Sequence, residues 1–243
     1  MDKVLEVKGL AKLYRNNRGI RDISFEVYRG DIFGFLGPNG AGKTTTMKII
    51  TGLCRPDKGS VSIFGIDAFS RFESAMRRIG CIIENPEAYE YMSAYANLRM
   101  AAKYYENIIP SRIDEVLELV GLIKYKNEKV AGYSLGMKQR LGIASAILSK
   151  PELVILDEPA NGLDIEGTVD IRNIITKLAC EHGITFFISS HMIHEMELTC
   201  TRLGIIDDGR LITTASVNEL PEDCRSLEEF FIKQLREDRG RKL

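Results

Sequence analysis

The stretch Gly37-Pro38-Asn39-Gly40-Ala41-Gly42-Lys43-Thr44 constrains the fold of this chain more than any other feature. It fits the pattern G-x-x-x-x-G-K-[ST]. It also joins an apolar run, Ile32-Phe33-Gly34-Phe35-Leu36, to a segment in which Met47, Ile50 and Leu53 recur at three-residue spacing. A strand, a glycine loop and a helix opening at about Lys43 are predicted in that order. Such a loop suits phosphate. Glycines let backbone N–H groups converge on phosphate oxygens, the following helix presents its partial positive end, and Lys43 adds a full charge. Thr44, followed by Thr45, offers a hydroxyl to Mg²⁺, so a nucleoside triphosphate with its metal is the expected ligand.

A metal held by a hydroxyl and a nucleotide also calls for a carboxylate, and Leu153-Val154-Ile155-Leu156-Asp157-Glu158-Pro159 offers two after a wholly apolar run. Asp157 is expected to reach Mg²⁺ directly or through water. Glu158, one residue on, is expected to polarise the water that attacks the γ-phosphate. Two further apolar runs, Ile184 to Ile188 and Leu203 to Ile206, alternate with helical stretches and suit strands buried on both faces of a parallel sheet.

Around these runs the pattern changes. Val4 to Val7, Ile23 to Val27 and Ile32 to Leu36 are expected to form a small antiparallel layer, with turns at Asn16 to Gly19 and Arg29 to Asp31. Short strands and a charged helical stretch, Phe72 to Arg78, are expected between Gly59 and Glu84. Ser93 to Lys150 reads as an inserted helical subdomain, with Ser111-x-x-Asp114 as a helix start. Asp208-Gly209 reads as a hairpin turn. Beyond Pro221, Ser226-x-x-Glu229 opens one short amphipathic helix, and a solvated tail is expected from Arg236.

Charge narrows the function classes. Thirty-three Lys and Arg against 34 Asp and Glu leave a net charge of -1, so no global positive field holds a nucleic-acid backbone or an anionic membrane. The five cysteines, Cys54, Cys81, Cys180, Cys200 and Cys224, fall in no metal-like spacing and are expected to be reduced and mostly buried. No apolar run approaches the about 18 residues of a membrane span, and the N-terminus lacks a secretion-signal pattern, so a soluble cytoplasmic chain is expected.

One more segment completes a series. Tyr133-Ser134-Leu135-Gly136-Met137-Lys138-Gln139-Arg140 lies between the phosphate loop and the acidic pair, and Ala160-Asn161-Gly162-Leu163-Asp164 and Ser189-Ser190-His191 follow. Five motifs in this order, spread over roughly Val4 to Thr214, resemble the ATP-binding cassette family of transporter ATPases. The resemblance implies an α/β fold of the P-loop NTPase type, with a RecA-like, mostly parallel core, an antiparallel β layer and an inserted helical subdomain. It divides the chain into an ATPase domain, 1–219, with a helical subdomain at about 85–150, and a C-terminal helix and charged tail, 220–243.

The same resemblance assigns roles by position. Tyr14 stacks on adenine, Gly37 to Thr45 bind ATP, and His191 hydrogen-bonds the γ-phosphate. Ser134 and Gly136 contact the ATP held by the other subunit of a head-to-tail dimer, and Asp164 matches the loop that crosses the interface. Two departures stand out. Leu135 and Met137 replace the more usual Gly and Gln, and Glu84, in Glu84-Asn85-Pro86, replaces a Gln expected to serve Mg²⁺ and the attacking water. Glu84 is similar to the variant in exporters of bacitracin and lantibiotic peptides. The implied function is an ATP-hydrolysing subunit that dimerises around ATP with Mg²⁺ and powers a separate integral membrane permease, on the inner face of the cell membrane. Glu87, Tyr89, Glu90 and Tyr91 are candidate contacts for that permease. The competing classes are a soluble ATPase switch on nucleic acid or ribosomes, a helicase-like motor, and a nucleotide-binding module without hydrolysis.

Overall fold

The computed structural model describes residues 2–221 and 224–240. In chain order its strands are β1 (Lys3–Leu13), β2 (Gly19–Tyr28), β3 (Ile32–Leu36), β4 (Lys58–Ile63), β5 (Ile66–Asp67), β6 (Ile79–Ile82), β7 (Leu153–Asp157), β8 (Thr185–Ser190), β9 (Arg202–Asp207) and β10 (Arg210–Ser216). The helices are α1 (Lys43–Ile50), α2 (Phe72–Met76), α3 (Ala94–Ala102), α4 (Pro110–Leu119), α5 (Leu135–Ala146), α6 (Ile165–His182), α7 (Ile193–Thr199) and α8 (Leu227–Gly240).

The strands with unbroken apolar runs form the centre. Every residue of β3, β7 and β8 is buried, and the larger sheet runs β10-β9-β3-β8-β7-β6, parallel except for β10. Strands apolar on both faces need cover on both faces. On one side the cover is α5, α6 and α7. On the other it is α1 and the antiparallel sheet β2-β1-β4-β5. Phe25 of β2 joins the layers by stacking on Phe33 of β3 at 5.4 Å between ring centroids. Fold class therefore follows the expectation, an α/β core with an antiparallel layer and helices between β6 and β7.

Several local expectations are corrected. Ile32 to Leu36 does not belong to the antiparallel layer: β3 pairs in parallel with β8 and β9, and β4 and β5 complete the layer instead. Helix α1 ends at Ile50, so Leu53 lies outside it and is exposed. Helix α4 begins at Pro110, whose fixed φ and missing N–H suit the first turn, and no side chain caps it, so Ser111 is not its start. Helix α8 runs on to Gly240, past the point where a tail was expected. Residues 241–243 lie outside the described region. Of the cysteines only Cys200 is buried; Cys54 and Cys224 are half-buried, and Cys81 and Cys180 are exposed.

Polar ties hold the helical segment to the core. The buried Arg112 of α4 donates to the carbonyls of Ile147 and Leu148, at 2.6 and 3.2 Å, just past the end of α5, which would otherwise have unsatisfied carbonyls. Gly80 of β6 sits so close to α5 that a Cβ there would lie 1.9 Å from the Ala146 carbonyl oxygen. Strand β6 is thus packed tightly against the end of α5. Among the described residues no helix is long and apolar enough to cross a membrane.

Candidate active site

Register brings the site together before any side chain is considered. Ile82 is level with Leu156, Leu156 with Ile188, Asp157 with Ser189, and Leu36 with Ser190. The four parallel strands therefore end side by side, at the carboxyl edge where ligands bind in open α/β sheets. Gly37, Glu158 and His191 follow directly from those ends, and Glu84 lies two residues beyond its own.

The loop after β3 turns sharply into α1. Gly42 occupies the N-cap with φ of 107°, and a Cβ there would meet the Ile20 side chain at 2.5 Å, so only glycine fits. No side chain caps α1, and its first-turn N–H groups are left for an anion. Ala41 packs into the core, while Pro38, Asn39 and Gly40 are exposed and Thr44 and Thr45 half-buried. Lys43 is only 5% exposed, and a charge buried that deeply requires partners. Its ammonium donates to the carbonyls of Gly37 at 2.7 Å and Pro38 at 3.1 Å, and lies 3.1 Å from Glu158 Oε1.

Glu158 links this loop to the strand β8. Its second carboxylate oxygen, Oε2, lies 2.8 Å from His191 Nδ1. Ser189 completes the wiring: its hydroxyl donates to Asp157 Oδ1 at 2.6 Å and accepts the Glu158 N–H at 2.9 Å. Glu158 has a left-handed backbone, φ 49°, a conformation of about 1–3 kcal/mol of strain that surrounding bonds must hold. Asp157 is 4% exposed, rigid, and keeps an oxygen beyond the one bound to Ser189.

Glu84, also left-handed at φ 67°, pairs with Lys48 of α1 at 2.6 Å. Its side chain is 61% exposed, and the bond holds the Lys48 ammonium above its ordinary pKa, with Tyr14 and Asp157 adding to the effect. A single cleft is lined by Tyr14, Arg18, Asn39, Gly40, Lys43, Thr44, Thr45, Glu158 and Asn161. Tyr14 is 42% exposed there, its hydroxyl 3.9 Å from Cys54 Sγ. An uncapped helix terminus, a buried lysine and rigid carboxylates opposite it fit a polyphosphate with a divalent cation.

Ser134, Gly136 and Asp164 are not brought to that cleft. They line a separate one with Leu135, Arg140, Glu166 and Asp170. Ser134 caps α5 by accepting the Met137 N–H at 3.2 Å, and Asp164 caps α6 by accepting the Gly167 N–H at 2.8 Å. Leu135 is exposed and Met137 packs against the core. Two residues at the site have roles that the sequence motifs do not assign, Ser189 and Lys48. Ser189 closes an apolar run two positions before His191, and Lys48 stands one helical turn after Thr44; those positions were the available signals.

The comparisons with known proteins agree with this geometry. A family model described as ABC transporter matches residues 20–161. The bacitracin transport ATP-binding protein BcrA of Bacillus licheniformis is 44% identical over 230 residues, covering 95% of this chain and 75% of that protein. The lantibiotic transport ATP-binding protein SrtF of Streptococcus pyogenes is 38% identical over 232 residues, 96% of this chain and 97% of its own. A solved ATP-binding subunit of an ABC transporter superposes with a TM-score of 0.83 at 30% identity, covering 96% of this chain and 99% of that one. This chain belongs to the ABC transporter family, as one of its ATP-binding and ATP-hydrolysing subunits.

Proposed function

We propose that two copies of this chain close head to tail on two ATP molecules, hydrolyse them, and drive a separate integral membrane permease from the cytoplasmic face. The observation that carries the reading is the division of the site. The cleft of Lys43 holds the loop and the carboxylates, whereas Ser134 and Gly136 line another cleft, so each copy has half of two sites. Only a second chain supplies what the first lacks.

In this reading Tyr14 stacks on adenine, and the backbone of Gly37 to Gly42 cradles the phosphates with Lys43. Thr44, Asp157 and Glu84 are the residues that would hold Mg²⁺, which when bound neutralises charge on the phosphate oxygens. As the Lys43 ammonium turns to phosphate it leaves Glu158 Oε1, which is then free to take a proton from the attacking water. His191 keeps the opposite oxygen, Oε2, in place and faces the γ-phosphate. Ser134, Gly136 and Asp164 of the other copy close over the same phosphate and exclude solvent.

The permease meets the chain at Glu87, Tyr89, Glu90 and Tyr91, where Tyr89 and Tyr91 pack edge to face at 5.9 Å and are both exposed. The likeness to BcrA and SrtF supports peptide antibiotics as the transported class. A nucleic-acid partner is not part of this reading. The test is Glu158→Gln, which keeps size and hydrogen bonding but removes the base. Hydrolysis falls by about 10²–10⁴-fold and a two-copy ATP complex accumulates. Single chains that bind ATP without pairing would overturn the reading.

A further inference from the structure

We propose that the rims of the two clefts carry opposite charge, so that the phosphate-loop rim of one copy attracts and orients the Ser134 rim of the next. The inference rests on the head-to-tail reading above. Next to Asn39 and Gly40 the surface opens onto Arg18, Arg21 and Arg210, with Asp208 the one carboxylate among them. The three arginines sit on two hairpins, β1–β2 and β9–β10, fastened side by side where the Arg21 N–H donates to the Gly209 carbonyl at 2.7 Å. The cleft of Ser134 and Gly136 is rimmed instead by Asp164, Glu166 and Asp170, with Arg140 the one cation, 3.7 Å from Asp170.

Neither set is neutralised by the other within one chain. Among the described residues none of the three arginines makes an ion pair. The Arg21 guanidinium donates to the Asn17 carbonyl, at 2.9 Å, and Arg18 and Arg210 are exposed. Because the whole chain has a net charge of -1, this contrast is local and not a general field. Asn39 and Gly40 belong to the loop that Ser134 and Gly136 of the second copy must approach, so closure brings arginine rim onto acidic rim at both interfaces. The reversed pairing sets like charges together, which suppresses that arrangement. Exposed charges act over about 10 Å at 0.1 M salt, which places the effect on approach and orientation.

The experiment uses the full chain with Glu158→Gln to hold the ATP-bound dimer, followed by sedimentation. Raising salt to about 1 M, where screening shortens the range to about 3 Å, should weaken the dimer. Arg21→Glu with Arg210→Glu in one preparation, and Glu166→Arg with Asp170→Arg in another, should each weaken pairing by about tenfold or more. Mixing the two should restore it, because every acid then faces a base across both interfaces. Single-chain binding of a fluorescent ATP analogue should be unchanged, and Glu166→Arg alone serves if the double change impairs folding. Parental pairing by both variants, failure of the mixture to recover, or lost ATP binding by single chains would overturn the proposal. If the Glu158→Gln parent forms no dimer at any salt, the head-to-tail reading itself falls and this inference with it.

Discussion

The cleft of Lys43 and the cleft of Ser134 differ in how their side chains are used. In the first, Lys43, Glu158 and His191 are bound in series, and Ser189 ties Asp157 to the Glu158 backbone. In the second, among the described residues, the side chains of Ser134 and Asp164 bond only to the first turns of their own helices. One surface binds its charged side chains to one another and leaves the first-turn N–H groups of α1 for phosphate; the other uses Ser134 and Asp164 for helix capping and turns an acidic rim to solvent. A chemical site needs its reacting groups held in place by neighbours, whereas an interface needs groups free to meet a partner. In the proposed reading the two designs divide the labour of one reaction between two chains.

The largest expected effect breaks the first cleft. Lys43→Ala removes a buried ammonium with three partners, and ATP affinity measured by equilibrium dialysis should fall on the order of 100-fold. Unchanged affinity would mean that the phosphates lie elsewhere. The next sharpens the contrast: Ser134→Arg should cut hydrolysis by about 10²–10³-fold, as loss of a transition-state donor does, while single-chain ATP binding stays at the parental value. A parallel loss of binding would place Ser134 in its own chain's site.

Smaller effects probe the wiring. Ser189→Ala leaves the buried Asp157 short of a donor and should cost about 1–3 kcal/mol in urea unfolding, with a fall in kcat. Lys48→Met and Glu84→Gln, analysed as a double-mutant cycle, should couple by under about 1 kcal/mol in stability because the pair is exposed. Glu84→Gln should nevertheless keep ATP binding and change the coupling of hydrolysis to transport. The smallest lies outside both clefts. Arg78 and Arg29 lower the Glu152 carboxyl from 4.5 to about 2, so its stabilising contribution is complete above pH 4.5 and is lost as pH falls toward 2. Glu152→Gln should flatten that arm of the stability profile, measured by thermal unfolding.

Much of the first cleft was legible in the sequence because it depends on local order. A glycine loop between an apolar run and a helix, and two acids after another apolar run, sit at strand ends wherever the strands pair in parallel. The misplacement of Ile32 to Leu36 has the opposite cause. Its short run pairs with β8 and β9, more than 150 residues on; its unbroken apolar pattern, unlike the alternation of β2, was the local signal, and nearness to β2 in the chain pointed the other way. The roles of Ser189 and Lys48 are not legible locally, since they exist only through Asp157 and Glu84 across the sheet edge. The start of α4 departs from the pattern of Ser111-x-x-Asp114 because proline at the first turn replaces a side-chain cap. The opposed rims could not be read at all, because Arg18 and Arg210 are brought together by two turns far apart in the chain.

The central claim is that each ATP lies between Lys43 of one copy and Ser134 of another, and complementation tests it most directly. A Lys43→Ala chain and a Ser134→Arg chain, each inactive alone, are mixed and the heterodimer isolated by two different tags. Its single-turnover hydrolysis should recover, because the intact loop of one chain then meets the intact serine turn of the other. A heterodimer as inactive as its parents would contradict the account.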